Sequence, residues 1–114
     1  MPYIYKITNL VNNKVYIGKT AGSIQNRWNE HCSDYCRDHC KNRPLYSAMR
    51  KYGVDKFIIE PVEECTIEEI NDREIYWISF YGSYNNGYNA TLGGEGATVV
   101  DYDEVVSLYQ KLQN

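Results

Sequence analysis

At 114 residues, the chain has the length of one compact domain, because a second hydrophobic core would have little to bury. Its hydrophobic share of 43%, which includes 12 tyrosines, is sufficient for a packed core and excludes a disordered or collagen-like chain. No apolar run approaches the roughly 20 residues that span a bilayer, and the N-terminus lacks the pattern of a signal peptide, so the sequence predicts a cytoplasmic protein without membrane contact.

The net charge of -3 conceals an asymmetry along the chain. Residues 1–56 carry ten Lys and Arg against four Asp and Glu, a net +6, whereas residues 57–114 carry two against eleven, a net -9. A basic N-terminal half can contact phosphates while the acidic half serves structural or metal-binding roles. A solvated surface with an accidental asymmetry explains the charge alone equally well.

The first predicted element is a β-hairpin. Tyr3–Thr8 and Lys14–Gly18 are runs of β-branched and aromatic residues, and the segment between them contains three asparagines, which favour turns. Tyr5 and Tyr16 lie on the two strands and project from the same face if paired residue numbers sum to an odd value. Strand tyrosines nevertheless serve packing more often than catalysis.

Two helices are predicted next. Ser23 is an N-cap residue for a helix from 23 to about 36, in which apolar residues recur at helical spacing. Pro44 can begin a second helix that continues through Tyr52 and ends at Gly53. Proline is favoured in the first turn of a helix and glycine just after the last turn, so both bounds have a physical basis.

The second half of the chain continues with a strand and a helix. Phe57–Val62 is a short third strand, and Pro61 within it favours the edge of the sheet. Thr66 followed by Glu69 is a capping-box pattern, which predicts a third helix that extends to about Tyr81. The remaining predicted elements are a turn at 85–87, a glycine-rich loop at 92–96 and a final helix over 101–113.

The third helix contains a carboxylate on its apolar face. Glu74 continues the apolar stripe of this helix between positions 70 and 78. The apolar members of the stripe are Ile67, Ile70, Trp77, Ile78 and Tyr81. Burying an unpaired carboxylate is costly, so such a residue is usually paired, hydrogen-bonded or bound to a metal ion. Spacing alone leaves an ordinary salt bridge as the alternative to a functional role.

A second pair of polar residues lies on the first helix. Arg27 and His31 are four residues apart and therefore share a face, next to the apolar positions Ile24 and Trp28. Arginine matches the geometry of a phosphate, and a neighbouring histidine can donate a hydrogen bond or relay a proton. A surface arginine and a boundary histidine are the alternative. Together with a metal-binding carboxylate, these residue types are those that phosphodiester hydrolysis uses.

A paired motif now becomes recognisable. Tyr3-Ile4-Tyr5, followed after ten residues by Tyr16-Ile17-Gly18, resembles the motif that names the GIY-YIG nuclease family. Tyr3 stands where the family usually has glycine. The match covers residues 3 to about 96 and resembles the phage and homing-endonuclease branch. The further matching segments, in family order, are Ile24 with Arg27-Trp28 and His31; Leu45-Tyr46 with Lys51-Tyr52-Gly53; Glu74 with Trp77-Ile78; and Gly87-Tyr88-Asn89-Ala90-Thr91 with Gly93-Gly94.

The resemblance implies an α/β fold of the α+β type, with a small three-stranded antiparallel β-sheet flanked by helices. It also implies a shallow catalytic surface on which several side chains converge. The catalytic residues that it implies are Tyr5, Tyr16, Arg27, His31, Glu74 and Asn89.

The same resemblance assigns roles to these residues. Glu74 would bind one Mg²⁺ or Mn²⁺, and Arg27 would stabilise charge on the phosphate. Tyr5 would activate or position the attacking water with help from His31 or Tyr16. Asn89 would tie the final loop to the site. A further residue outside this set, Lys19, can contact a phosphate, and a solvated lysine is the alternative for it.

The cysteines form a local cluster whose role is separate. The members of this cluster are Cys32, Cys36, His39 and Cys40. On a continuous helix, Cys32, Cys36 and either His39 or Cys40 would share one face, which is a conceivable zinc site. Structural zinc usually takes its ligands from turns rather than from a helical run, so reduced cysteines are the favoured prediction.

We expect residues 1–97 to form the nuclease domain and residues 98–114 to form a C-terminal helix that begins a linker or DNA-binding module. Packing of this helix on the nuclease core is the alternative. The predicted function is that of a metal-dependent endonuclease acting on double-stranded DNA in a phage, a virus or a bacterial host cell. A covalently linked DNA-binding module outside this sequence is the expected partner. A catalytically silent nucleic-acid-binding module of the same fold is the alternative function.

Overall fold

The computed structural model describes residues 1–37 and 43–94. Within these ranges, two strands are followed by two helices, a third strand and two further helices. In order, the elements are β1 (Tyr3–Asn9), β2 (Val15–Thr20), α1 (Ile24–Asp34), α2 (Pro44–Tyr52), a 3-10 turn (Val54–Lys56), β3 (Phe57–Glu64), α3 (Ile70–Tyr81) and the short α4 (Ser83–Asn86). The predicted α+β fold with a three-stranded antiparallel sheet flanked by helices is therefore confirmed.

The sheet has the strand order β2-β1-β3, and both pairings are antiparallel. In the predicted hairpin, Tyr5 pairs with Gly18 and Ile7 pairs with Tyr16, so paired residue numbers sum to an odd value. Tyr5 and Tyr16 consequently project from the same face, as the register condition required. Among the described strands, β3 pairs with β1 alone and is an edge strand, which confirms the position expected from Pro61.

Each face of the sheet supports its own hydrophobic cluster, because successive side chains of a strand point to opposite faces. Tyr5 and Ile7 of β1 face α2, whereas Ile4 of the same strand faces α3. The buried members of the first cluster are Tyr5, Ile7, Leu45, Tyr46, Ala48, Met49, Phe57 and Tyr88. Those of the second are Ile4, Ile17, Cys65, Ile70 and Ile78. Burial of each large apolar side chain contributes roughly 1.5–3 kcal/mol.

The capping residues predicted for the first two helices are confirmed, and α1 ends at Asp34, close to the expected end at about 36. Ser23 accepts a hydrogen bond from the backbone N–H of Asn26 at 3.0 Å and caps α1. Pro44 lies at the start of α2, and Gly53 follows its last residue with a φ of 92° that favours glycine.

The third helix begins later than its capping box suggested. The Thr66 hydroxyl donates to the Glu69 carboxylate at 2.9 Å, but this pair closes a turn, and α3 starts only at Ile70. The turn predicted at 85–87 also differs, because Ser83–Asn86 form one helical turn that closes when the N–H of Asn86 donates to the carbonyl of Gly82.

Some predicted features lie outside the described residues. These are His39, Cys40, the end of the glycine-rich loop at 95–96 and the final helix over 101–113. None of the helices in 1–37 and 43–94 is long and apolar enough to cross a membrane.

Candidate active site

A cleft of about 220 Å³ opens where the sheet meets α1, α2 and α3. Every functional residue predicted from the sequence lines it. These residues are Tyr5 of β1, Tyr16 and Lys19 of β2, Arg27 and His31 of α1, Glu74 of α3, and Asn89, which follows α4. The fold therefore brings together side chains that are up to 84 positions apart in the sequence, between Tyr5 and Asn89.

Tyr5 and Tyr16 form the floor of the cleft. Their ring centroids lie 6.3 Å apart, and Tyr5 is fully buried. Gly18, the strand partner of Tyr5, leaves room for its ring, because a Cβ atom on Gly18 would lie 2.3 Å from both Cζ and Oη of Tyr5. The glycine of the second motif thus permits the close approach of the first motif's tyrosine.

Replacing this glycine should therefore disturb the site directly. We expect Gly18→Ala to displace the Tyr5 ring and to lower the free energy of unfolding by about 1–3 kcal/mol, the usual cost of overpacking. Urea unfolding measures the loss. Gly22→Ala is the matched control, because the nearest atom to its added Cβ is 3.9 Å away. Equal stabilities for the two variants would contradict the packing role of Gly18.

His31 lies between two tyrosine hydroxyls. Its Nε2 is 2.7 Å from the Tyr5 hydroxyl, and its Nδ1 is 2.8 Å from the Tyr46 hydroxyl. The imidazole is 1% exposed. Burial, followed by the positive charges of Arg27 and Arg43, lowers the pKa of His31 from 6.5 to about 3. The ring is therefore neutral at physiological pH.

Because His31 is neutral in the folded protein, we expect the free energy of unfolding to decrease in acid. The folded chain resists protonation of His31 while the unfolded chain binds a proton near pH 6.5, so stability falls as pH decreases from 6.5 toward 3. We expect the step from pH 7 to pH 5 to cost about 2 kcal/mol through this group. Urea unfolding of the wild type and His31→Gln at both pH values checks it. The prediction fails if the two proteins lose stability equally.

Arg27 lies at the side of the cleft. Its guanidinium forms an ion pair with Glu30 at 3.6 Å, and its side chain remains 22% exposed. Burial raises the pKa of Tyr5 well above its usual value, and the charge of Arg27 and a hydrogen bond from it oppose this rise. Burial likewise raises the pKa of Tyr16, again against the charge of Arg27. Arg27 is thus placed to stabilise negative charge that develops inside the cleft.

Glu74 of α3 also lines the cleft and is 9% exposed. Its Oε1 is 3.4 Å from Lys19 Nζ and accepts a hydrogen bond from the backbone N–H of Gly94 at 3.1 Å. The salt bridge that the sequence left open as the alternative to a functional role for Glu74 is therefore present, with Lys19 as its partner. Gly93 and Gly94 have φ values of 94° and 82°, and a Cβ on either would lie within 2.7 Å of an isoleucine side chain of α3. Only glycines allow the loop to approach the carboxylate this closely.

Asn89 lines the cleft, but the hydrogen bonds of its side chain go to other residues of the protein. Its Oδ1 accepts from the N–H of Ile17 at 2.9 Å and from the Ser83 hydroxyl at 2.6 Å, while its Nδ2 donates to the carbonyl of Ile17 at 2.8 Å. These bonds join the segment after α4 to β2, which carries Tyr16. Asn89 therefore holds the loop in place beside the cleft.

Sequence reasoning did not assign a role to two residues of the cleft. Tyr46 is 1% exposed and holds the second nitrogen of His31, and Arg43 lies with its guanidinium carbon 5.6 Å from the centre of the Tyr46 ring. Burial raises the pKa of Tyr46 to about 12. The sequence indicated Tyr46 only as part of a segment that matches the family. Its spacing within the helix is as typical of a core residue as of a functional one.

The two described cysteines of this cluster, Cys32 and Cys36, do not line the cleft. Cys32 is half-buried and Cys36 is exposed, and both are free thiols. Across residues 1–37 and 43–94, no group of three or more His, Cys, Asp or Glu side chains is arranged to hold a metal ion.

Comparison with known proteins identifies a matching family. The family model described as the GIY-YIG catalytic domain matches residues 1–89. The chain is 34% identical, over 90% of its length and 43% of the relative's, to intron-associated endonuclease 1 of Enterobacteria phage T4. It is 36% identical to a probable intron-encoded endonuclease 1 of Neurospora crassa, over 75% of the chain and 29% of that relative.

The fold is also similar to a solved structure. The catalytic domain of homing endonuclease I-TevI superposes with a TM-score of 0.68 at 31% identity, covering 80% of this chain and 99% of that one. The chain spans less than half the length of the curated relatives described above.

Proposed function

The chain belongs to the GIY-YIG catalytic domain family, and from this we propose that it is the catalytic domain of a metal-dependent endonuclease that hydrolyses phosphodiester bonds of double-stranded DNA. One observation carries the proposal: Tyr5, Arg27 and Glu74 line the same 220 Å³ cleft. A base, a cation for the phosphate and a metal-binding carboxylate are the groups that this hydrolysis needs.

The charges of the cleft favour a polyanionic substrate. Among residues 1–37 and 43–94, its lining contains the cations Lys19, Arg27 and Arg43 and one carboxylate, that of Glu74. Arginine can bind two phosphate oxygens at once through its planar guanidinium. The exposed Arg43 is placed to contact the DNA backbone beside the phosphate that Arg27 holds. The relatives described above are named as endonucleases, which agrees with a nucleic-acid substrate.

The residues of the cleft fit a hard divalent cation. Glu74 would hold Mg²⁺ or Mn²⁺ through its carboxylate, because such ions take oxygen ligands and commonly bind by one or two carboxylates together with waters and substrate phosphates. The chemistry such an ion supplies is additional positive charge at the phosphate. Because the described lining offers one carboxylate, we expect the ion to bind weakly until DNA contributes its own oxygens.

Tyr5 is the proposed base. Burial makes its phenolate a minor species in the free protein, and the Arg27 charge increases the share of that species. The oxygen of water attacks phosphorus while its proton passes to the Tyr5 phenolate oxygen. The bond between phosphorus and the leaving sugar oxygen breaks, and that oxygen takes a proton from solvent. Tyr16, in contact with the Tyr5 ring, helps to orient the water.

The whole protein is proposed to contain a covalently linked DNA-binding module. The chain carries a net charge of -3, and phosphate contacts by Lys and Arg dominate non-specific affinity for DNA. The cations of the cleft suffice to orient a phosphate but contribute little affinity for a long duplex. A linked module would supply that affinity and the choice of target.

Fusion of the chain to a DNA-binding domain of known sequence specificity tests this proposal. We expect the fusion, in Mg²⁺, to cleave a duplex at a fixed distance from the bound site, and the unfused chain to cleave it far more slowly. Tight binding by the fusion without cleavage in Mg²⁺ or Mn²⁺ would instead indicate a catalytically silent nucleic-acid-binding module.

A further inference from the structure

The ammonium group of Lys19 contacts two oxygen atoms of α3. Its Nζ lies 3.4 Å from Oε1 of Glu74 and donates a hydrogen bond to Oδ1 of Asn71 at 2.5 Å. Asn71 and Glu74 are three residues apart on this helix and therefore share a face. Two partners thus hold the ammonium beside the carboxylate that we propose as the metal ligand.

The ion pair of Lys19 and Glu74 is largely shielded from water. The two side chains are 10% and 12% exposed. By comparison, the ion pair of Lys6 and Glu60 is longer, at 4.0 Å, and its side chains are 22% and 51% exposed. Charges that are removed from water attract each other more strongly and are less screened by salt. Lys19 therefore offsets much of the negative charge of Glu74.

A divalent cation that binds Glu74 encounters this ammonium. Mg²⁺ and Mn²⁺ take carboxylate oxygens as ligands, and the ammonium of Lys19 is attracted by the same negative charge. Two cations beside one carboxylate repel each other, and the repulsion is stronger where water is scarce. The flexible four-carbon stem of lysine allows its ammonium to move while the backbone of β2 stays in place. The ion and the ammonium are therefore competitors for Glu74.

We propose that Lys19 is a built-in counter-ion of Glu74, which must leave the carboxylate before the divalent cation binds. The inference rests on the proposed function, in which Glu74 holds the ion. Lys19 lines the same cleft as Arg27, so a DNA phosphate in the cleft is an alternative partner for the displaced ammonium. DNA then favours ion binding in two ways, because it supplies oxygen ligands and draws Lys19 away from Glu74.

Titration of the full chain with Mn²⁺ tests the competition without DNA. The chain is first freed of metal with EDTA, and the EPR signal of unbound Mn²⁺ then gives the Kd at pH 7. Lys19→Met keeps an unbranched side chain but removes its charge, and we expect it to bind Mn²⁺ about tenfold more tightly than the wild type. Lys19→Arg keeps the charge and should stay close to the wild-type Kd. Equal or weaker binding by Lys19→Met, or no binding by it at millimolar Mn²⁺, would overturn the proposal.

Lys6→Met is the matched control. Lys6 is also a strand lysine paired with a glutamate, but it does not line the cleft, so its loss should leave the Kd unchanged. An equal gain in Lys6→Met would assign the effect to net charge and overturn the role of Lys19. The double variant of Lys19→Met with Glu74→Gln should lose the gained affinity, and affinity that persists in it would place the ion elsewhere. None of these results uses cleavage, so a failed competition is distinguishable from failure of the proposed function.

Discussion

Glu74→Gln should abolish cleavage while the protein stays folded. The amide keeps the shape of the side chain and can still accept the N–H of Gly94, but it removes the negative charge on which the proposed ion binding depends. Because a bound cation contributes several kcal/mol to stabilising the transition state, we expect the single-turnover rate to fall by about a thousandfold or more. Rates are measured with saturating fused protein, so that binding does not limit cleavage.

Glu68→Gln is the control for this experiment. Glu68 is exposed and does not line the cleft, so its loss should leave the rate unchanged. Circular dichroism of both variants checks folding. A Glu74→Gln protein that cleaves at more than a tenth of the wild-type rate would show that this carboxylate does not hold the ion.

The second large effect is expected from Arg27. Arg27→Ala removes the guanidinium that we propose contacts the phosphate, and we expect the single-turnover rate to fall about 10²- to 10³-fold. Arg27→Lys should recover part of this loss, because a lysine restores the charge without the planar pair of donors. Stability should change by less than about 1 kcal/mol, since the ion pair with Glu30 is partly exposed.

Arg73→Ala provides the comparison for Arg27. Arg73 is paired with Glu63 on the far side of α3 and does not line the cleft. We expect its loss to leave the cleavage rate unchanged. Equal rates for Arg27→Ala and Arg73→Ala would remove Arg27 from the proposed chemistry.

The parts of the site that local sequence rules could predict are those fixed by periodicity. The two-residue period of a strand placed Tyr5 and Tyr16 on one face, and the helical period placed Glu74 on the buried face of α3. The charge asymmetry of the chain also has a counterpart in the cleft. Its cations, Lys19 and Arg27 among them, come from the basic half, and its carboxylate comes from the acidic half.

The features that were missed depend on contacts between distant segments. Nothing within α2 distinguishes Tyr46 from a core tyrosine, because its partner His31 lies on another helix, 15 residues earlier. The N–H of Gly94 reaches Glu74 only because two consecutive glycines adopt positive φ. The late start of α3 has a similar cause, since the Thr66 and Glu69 pair can close either a helix or a turn.

Conversion of supercoiled plasmid by the isolated chain tests the central claim most directly. At high protein concentration, the account predicts nicked or linear DNA in Mg²⁺ or Mn²⁺, no conversion in EDTA, and no conversion by Glu74→Gln. Conversion that persists in EDTA or in the variant would contradict the claim that this cleft is a metal-dependent nuclease site.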